Sequence, residues 1–314
     1  EDGTYEWHLV AIDQANNATF SDTAFFGVDL NPPLIVHNNP LTSVDEGSTT
    51  PSINVQVSDG GSGVSDVYLN YRRSGSNSGF VTVQLWNDGE ITPSSIPGND
   101  IRSEGVEYFI EAFDQLGNRS EWPYDYNGND VQSVVARTQD NVTTASYWTA
   151  GIPTGTDTSA YQLFSIPFKT NKGLNAVTEV LGPPDEFKYR LYSYNNGFEE
   201  FTEFNSIDIG LGKSYFFIWD KEQYPDVLQL NFDFGKGEST PTSPPFEIPA
   251  AVGEWKFFGN PYNFPVDWID VRGQNDTPII DGGSVYTWSN FGGWVSPGQS
   301  LEPWKGYIYK SATD

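Results

Sequence analysis

Cysteine is absent from the 314-residue chain, and so is methionine. Without cysteine there can be no disulfide staple, no thiol nucleophile and no thiolate metal site. Histidine is nearly absent as well, with only His8 and His37 in the chain. Their surroundings suggest neither a Ser-His-Asp set nor a metal-binding His pair, so both are expected to be structural or surface residues. Positive charge is scarce: 16 basic residues stand against 42 acidic ones, a net charge of −26. Nothing here can neutralise a phosphate backbone, so nucleic acid is not an expected partner, and neither is an anionic membrane surface. No apolar run approaches the roughly 18 residues of a membrane helix, so no membrane insertion is expected. No secretory leader is legible. The opening Glu1–Tyr5 reads as the middle of a domain, and with no methionine the sequence is expected to be a mature or proteolysed piece of something longer.

What is abundant is turn-forming and aromatic. There are 31 Gly and 21 Pro, and aromatics make up 15 % of the residues. No long segment reads as helix, so the composition predicts an all-β chain of short strands, with length for two or three small domains. Apolar burial must supply the stability, and the aromatics are its main source.

Segment 5–13 alternates, with Tyr5, Trp7, Leu9 and Ala11 on one face as a half-buried strand requires. A turn at 14–17 and a second strand near 23–28 complete a hairpin, which Asn31-Pro32-Pro33 ends. The pattern returns at 106–118, where Ala112-x-Asp114-x-x-Gly117-Asn118 matches Ala11-x-Asp13-x-x-Asn16-Asn17. Strand signals at 53–57, 64–72 and 80–85 lie between, separated by turns such as 59–63 and 87–89. About seven short strands in about 100 residues is the density of a β-sandwich.

Ser58-Asp59-Gly60-Gly61-Ser62-Gly63-Val64, with Tyr108-x-x-x-Ala112-x-Asp114-x-x-Gly117-Asn118, resembles the Ig-like and fibronectin type III-like repeats of large bacterial surface proteins. The resemblance covers roughly residues 1–130 and implies tandem antiparallel sandwiches, but no particular function.

The second half contains an internal repeat. Leu163–Phe168, Arg190–Phe198 and Gly210–Ile218 recur in order as Phe257–Tyr262, Val285–Trp294 and Leu301–Tyr309. Each copy reads as a strand, a short helical or looped crossover, a hairpin and a final strand. Asn-Gly and Gly-Gly pairs supply the positive φ of the hairpin turns. The two copies are expected to share one core about a pseudo-twofold axis. This half resembles a C-terminal module of secreted bacterial multidomain proteins, a resemblance that implies no activity. The expected division is therefore a terminal hairpin of an incomplete Ig/fibronectin type III-like sandwich (1–33), an Ig-like sandwich (34–130), a linker and strand pairing with the C-terminal domain (131–160), and a duplicated β domain (161–314, copies 161–238 and 246–314).

Candidate chemistry is thin. Asp and Asn oxygens in glycine-rich turns suit a hard cation, which makes Asp13, Asn16, Asp59, Asp114 and Asn118 calcium candidates. The competing reading is that these side chains cap their own turns. Trp288 and Trp294 could stack on a sugar ring, while core packing explains aromatics present in both copies. Asn17, Asn118, Asn141 and Asn275 begin Asn-x-Ser/Thr sequons, and Thr23 lies in an Asp-Thr-Ala triplet resembling an O-glycosylation motif. Paired carboxylates for glycoside hydrolysis carry little weight among 42 acids. The expectation is a secreted, extracellular, non-catalytic structural or adhesive segment on a bacterial cell surface. It would pair with copies of itself, with neighbouring domains, or with surface glycans. The alternative is a carbohydrate-binding accessory region of a larger secreted enzyme.

Overall fold

The computed structural model describes residues 2–123, 131–145, 147–148, 153–251, 253–271, 285–289 and 291–310. The described residues form short strands and a single α-helix, Asn175–Leu181, so the chain is all-β, as the composition predicts.

The first 30 residues make two small antiparallel ladders. Gly3–Trp7 pairs with Ala24–Val28, and Val10–Ile12 with Ala18–Phe20. Tyr5 faces Phe26 across the first ladder and their rings stack 5.4 Å apart. The alternation expected from sequence stops at Trp7. The register slips between the ladders, so Val10 and Ile12, not Leu9 and Ala11, pair with Phe20 and Ala18. The strand is not half-buried either: Trp7 is 49 % and Leu9 65 % exposed.

Residues 34–123 and 131–137 build a two-layered sandwich. Its central strand, Val106–Asp114, runs antiparallel to Val64–Arg73, which pairs in turn with Val81–Gln84. Alternate residues point inward: Val67, Leu69 and Tyr71 lie opposite Ala112, Ile110 and Tyr108, and all six are buried. The other layer comes from Leu34–Val36 paired with Gln56–Ser58, and from Ile53 bridging Ser94. Tyr108 ties the layers together. Its hydroxyl accepts from the Leu41 amide at 3.1 Å and shares a hydrogen bond with His37 Nε2 at 2.9 Å. Burial pushes the Tyr108 hydroxyl up to about 12 and lowers the pKa of His37. His37 is buried here, and His8 is exposed beside the Phe20 ring.

Strand Gln132–Arg137, expected to pair with the C-terminal half, pairs both ways. Val106–Tyr108 lies on one side, and Ser43–Asp45 and Glu238 pair with its far end. Its Val134 and Ala136 fill the sandwich core. Val142 and Trp148 then enter the core of the next unit.

In that next unit the repeated blocks fall on equivalent strands. One sheet has the order Gln162–Ser165, Ser214–Trp219, Tyr189–Tyr194, Phe198–Glu200. The other has the order Trp255–Gly259, Gly306–Lys310, Val285–Ser289, Gly293–Val295. Register agrees residue by residue. Leu163 opposes Phe216 as Phe257 opposes Ile308, and Tyr194 opposes Phe198 as Trp288 opposes Trp294. Tyr215 and Tyr307, equivalent and fully buried, each accept from the amide five residues back, at Gly210 and Glu302. The sheets join through reciprocal bonds: Ser165 N donates to Trp304 O at 2.8 Å, and Gly259 N to Gly212 O at 3.1 Å. Reciprocity of this kind is what a pseudo-twofold axis produces. Close contact at the axis needs small residues. A Cβ on Gly259 would stand 2.1 Å from that of Ser165.

Candidate functional site

The first C-terminal sheet packs one face against helix Asn175–Leu181, and its other face meets the second sheet. Only part of that meeting closes. Leu163, Phe216, Phe257 and Ile308 pack together and are buried. Beside them opens a cavity of about 740 Å³ in which ten of the twelve lining residues are aromatic. The lining follows the axis. Tyr161, Tyr192, Tyr194 and Phe198 of the first copy match Trp255, Tyr286, Trp288 and Trp294 of the second. The hairpin pairs even share a geometry. Tyr194 and Phe198 meet edge to face at 5.2 Å, and so do Trp288 and Trp294. Their tight turns place Asn196 (φ 55°) and Gly292 (φ 75°) in the left-handed region, so the short loops return each second ring beside the first.

Thr158 and Ile308 complete the described lining, and among the described residues it contains no Asp, Glu, Asn, Gln, Lys or Arg. At the rim, Arg190 is held bidentately by Glu200 at 2.6 and 2.7 Å and lies over the Tyr192 ring. That pairing raises the Arg190 pKa and lowers that of Glu200. Desolvation raises the Tyr192 hydroxyl. Lys310 sits 5.8 Å over Trp255.

The two sugar-stacking candidates thus meet in one place, with Trp294 41 % exposed and Trp288 half-buried. Tyr161, Trp255, Phe257 and Tyr286 were missed by sequence reasoning. Extending the repeat alignment two residues upstream of each first block would have found the matching pair Tyr161 and Trp255.

A second constellation lies where the hairpin meets the sandwich. Carboxylate oxygens of Asp29, Asp59 and Asp114 lie within 4.8 Å of one another. Asp114 Oδ1 accepts from the Leu116 and Asn118 amides, and Asn118 donates its side-chain amide to Asp114 and to the Asp29 carbonyl. Asp59 Oδ1 accepts from Gly61 and Gly63, while Asp29 Oδ2 accepts from Ser62 N at 2.6 Å. Burial opposes ionisation of Asp114, yet the Asn118 and Leu116 hydrogen bonds outweigh it and hold its pKa low. The Ser62 amide does the same for Asp29. Carboxylates this close repel one another when ionised, and a hard oxygen-seeking cation is the group that reverses that repulsion. Asp59, Asp114 and Asn118 were expected from sequence, but Asp29 was not.

Asp13 and Asn16 are not part of this group. Asp13 caps its own exposed turn, accepting from Ala15 N, Asn17 N and the Asn17 side chain, and the last of these is the main cause of its lowered pKa. It repeats the Asp114 turn without the two neighbouring carboxylates. Millimolar calcium is therefore expected to raise the melting temperature and to protect residues 29–31 from protease. Asp114→Asn should remove both responses. The stabilisation should be present above the ordinary carboxyl value of 3.8 and lost as pH falls through the lowered pKa values. Identical melting in calcium and in chelator would rule out the cation.

The remaining candidates are scattered. Asn17, Asn141 and Thr23 are exposed, with the Asn141 side chain on Asp233. Asn118 is engaged as described, and Asn275 lies outside the described residues. No protein-family model matches the chain, and no curated protein is similar to it.

Proposed function

We propose that the chain is a non-catalytic structural segment of an extracellular modular protein, and that it associates with a second copy of itself through residues 2–30. The observation that carries this reading is the apolar surface of the hairpin. Trp7, Ile12, Phe20, Phe25 and Phe26 are exposed on two-stranded ladders, and Leu9 and Leu30 are exposed beside them. A lone two-stranded hairpin is marginal in water, and its open edges are templates for another strand. The Ig-like resemblance of the turns at 58–64 and 112–118 supports a modular, surface-displayed setting.

Charge opposes the association. The segment 2–30 carries Asp2, Glu6, Asp13, Asp22 and Asp29, and no Lys or Arg. Apolar contact must outweigh that repulsion, so association should strengthen with salt as the repulsion is screened. In sedimentation velocity, the chain is expected to shift from monomer to larger species between micromolar and high micromolar concentration, and more so at 0.5 M salt. Phe25→Ser with Phe26→Ser should remain monomeric. A wild-type chain that stays monomeric throughout would sink the reading.

A further inference from the structure

The aromatic cleft on the pseudo-twofold axis is independent of the hairpin and of the carboxylate group. We propose that it binds one uncharged, ring-bearing apolar molecule of the size of a small drug or pigment. Volume comes first. About 740 Å³ lies in the range of pockets that enclose small organic ligands, and it far exceeds a packing defect between two sheets. Charge comes next. Arg190 is neutralised by Glu200, so the rim cation a positively charged ligand would meet is Lys310, 5.8 Å over the Trp255 ring. An anionic ligand would have to approach a chain of net charge −26 and would find no cation among the described lining residues. Neutral ligands escape both penalties.

Polarity narrows the class. A sugar presents hydroxyls around its whole edge, and each needs a partner when it leaves water. Among the described residues the lining has no carboxylate or carboxamide side chain, and its side chains offer hydroxyl and indole groups. Flat, weakly polar rings need fewer partners and gain from offset and edge-to-face contact. The paired Tyr194–Phe198 and Trp288–Trp294 arrangements provide two such contact faces, one from each copy.

The probe for the test is N-phenyl-1-naphthylamine, neutral and fluorescent in apolar surroundings, titrated into the full chain. Saturation at one probe per chain is expected, with energy transfer from tryptophan. Phe198 and Trp294 are exposed lining residues, so Phe198→Ser and Trp294→Ser should keep the wild-type melting temperature. Each should weaken probe binding on the order of tenfold. The hairpin variant Phe25→Ser with Phe26→Ser should bind as wild type does. Absence of saturable binding would overturn the proposal. So would loss of binding in the hairpin variant alone, because the probe would then be reading the exposed hairpin. Displacement of the probe by cellohexaose would replace the proposed class with a carbohydrate, and displacement by a proline-rich peptide would replace it with a polypeptide.

Discussion

Trp304→Ala is expected to destabilise the C-terminal half by about 3–5 kcal/mol, the usual cost of emptying a large aromatic site. Trp304 belongs to the second copy by sequence, yet it is buried in the core of the first, with Tyr147 and Phe168 among its ring neighbours. Its φ of 67° is left-handed, and its counterpart in the first copy is Gly212 at 71°. An indole therefore occupies a backbone conformation that glycine takes freely, and the packing outweighs the strain. This gives the variant series a signature. Trp304→Gly should be more stable than Trp304→Ala by about 1 kcal/mol, because glycine relieves the backbone while leaving the same cavity. Thermal melting should fall on the order of 10 °C for alanine. A change of less than about 0.5 kcal/mol would mean that the copies do not exchange this side chain.

Gly259→Val is expected to be as severe, for the opposite reason. A Cβ there would lie 2.1 Å from the Ser165 Cβ and 2.8 Å from the Lys213 carbonyl, so backbone must move. Overpacking of this kind typically costs about 1–3 kcal/mol, and displaced backbone places this case at or above the top of that range. Ser165→Gly removes the nearest obstacle and should recover part of the loss in the double variant. Chemical denaturation followed by tryptophan fluorescence measures both. Full stability in Gly259→Val would show that the sheets do not meet at this axis.

How much of this was legible beforehand depended on the range of the contacts. The Asp114 turn could be read because its hydrogen bonds run only two and four residues along the chain. The duplication could be read because three blocks recur in order, and those blocks are the strands that pair identically in both sheets. Asp29 was invisible for the reverse reason. It reaches Ser62 across 33 residues and Asn118 across 89, and no local pattern marks it. Trp304 looked like one more aromatic of the second copy, because only the twofold arrangement places it in the first copy's core. Leu9 and Ala11 fitted a period of two that the chain abandons after Trp7, where the partner strand is interrupted between Phe20 and Ala24. Strand 132–137 was assigned to one neighbour because a sequence pattern cannot show that a strand has partners on both sides.

The aromatic cleft belongs between these cases. Each ring was visible in the sequence, and equivalent rings could be aligned. Whether the rings would fill the space between the sheets or line an opening depends on how the sheets meet at the axis. Ser165, Ser214, Gly259 and Gly306 let the backbones approach there.

The most direct test of the structural role is amide hydrogen exchange over residues 3–28, followed at low and at high protein concentration. If a second copy covers this hairpin, its amides should exchange rapidly in dilute solution and slow at least tenfold once the chains associate, while amides in Val64–Arg73 and Val106–Asp114 stay slow throughout. Equal exchange of residues 3–28 at both concentrations, whether fast or slow, would contradict the account.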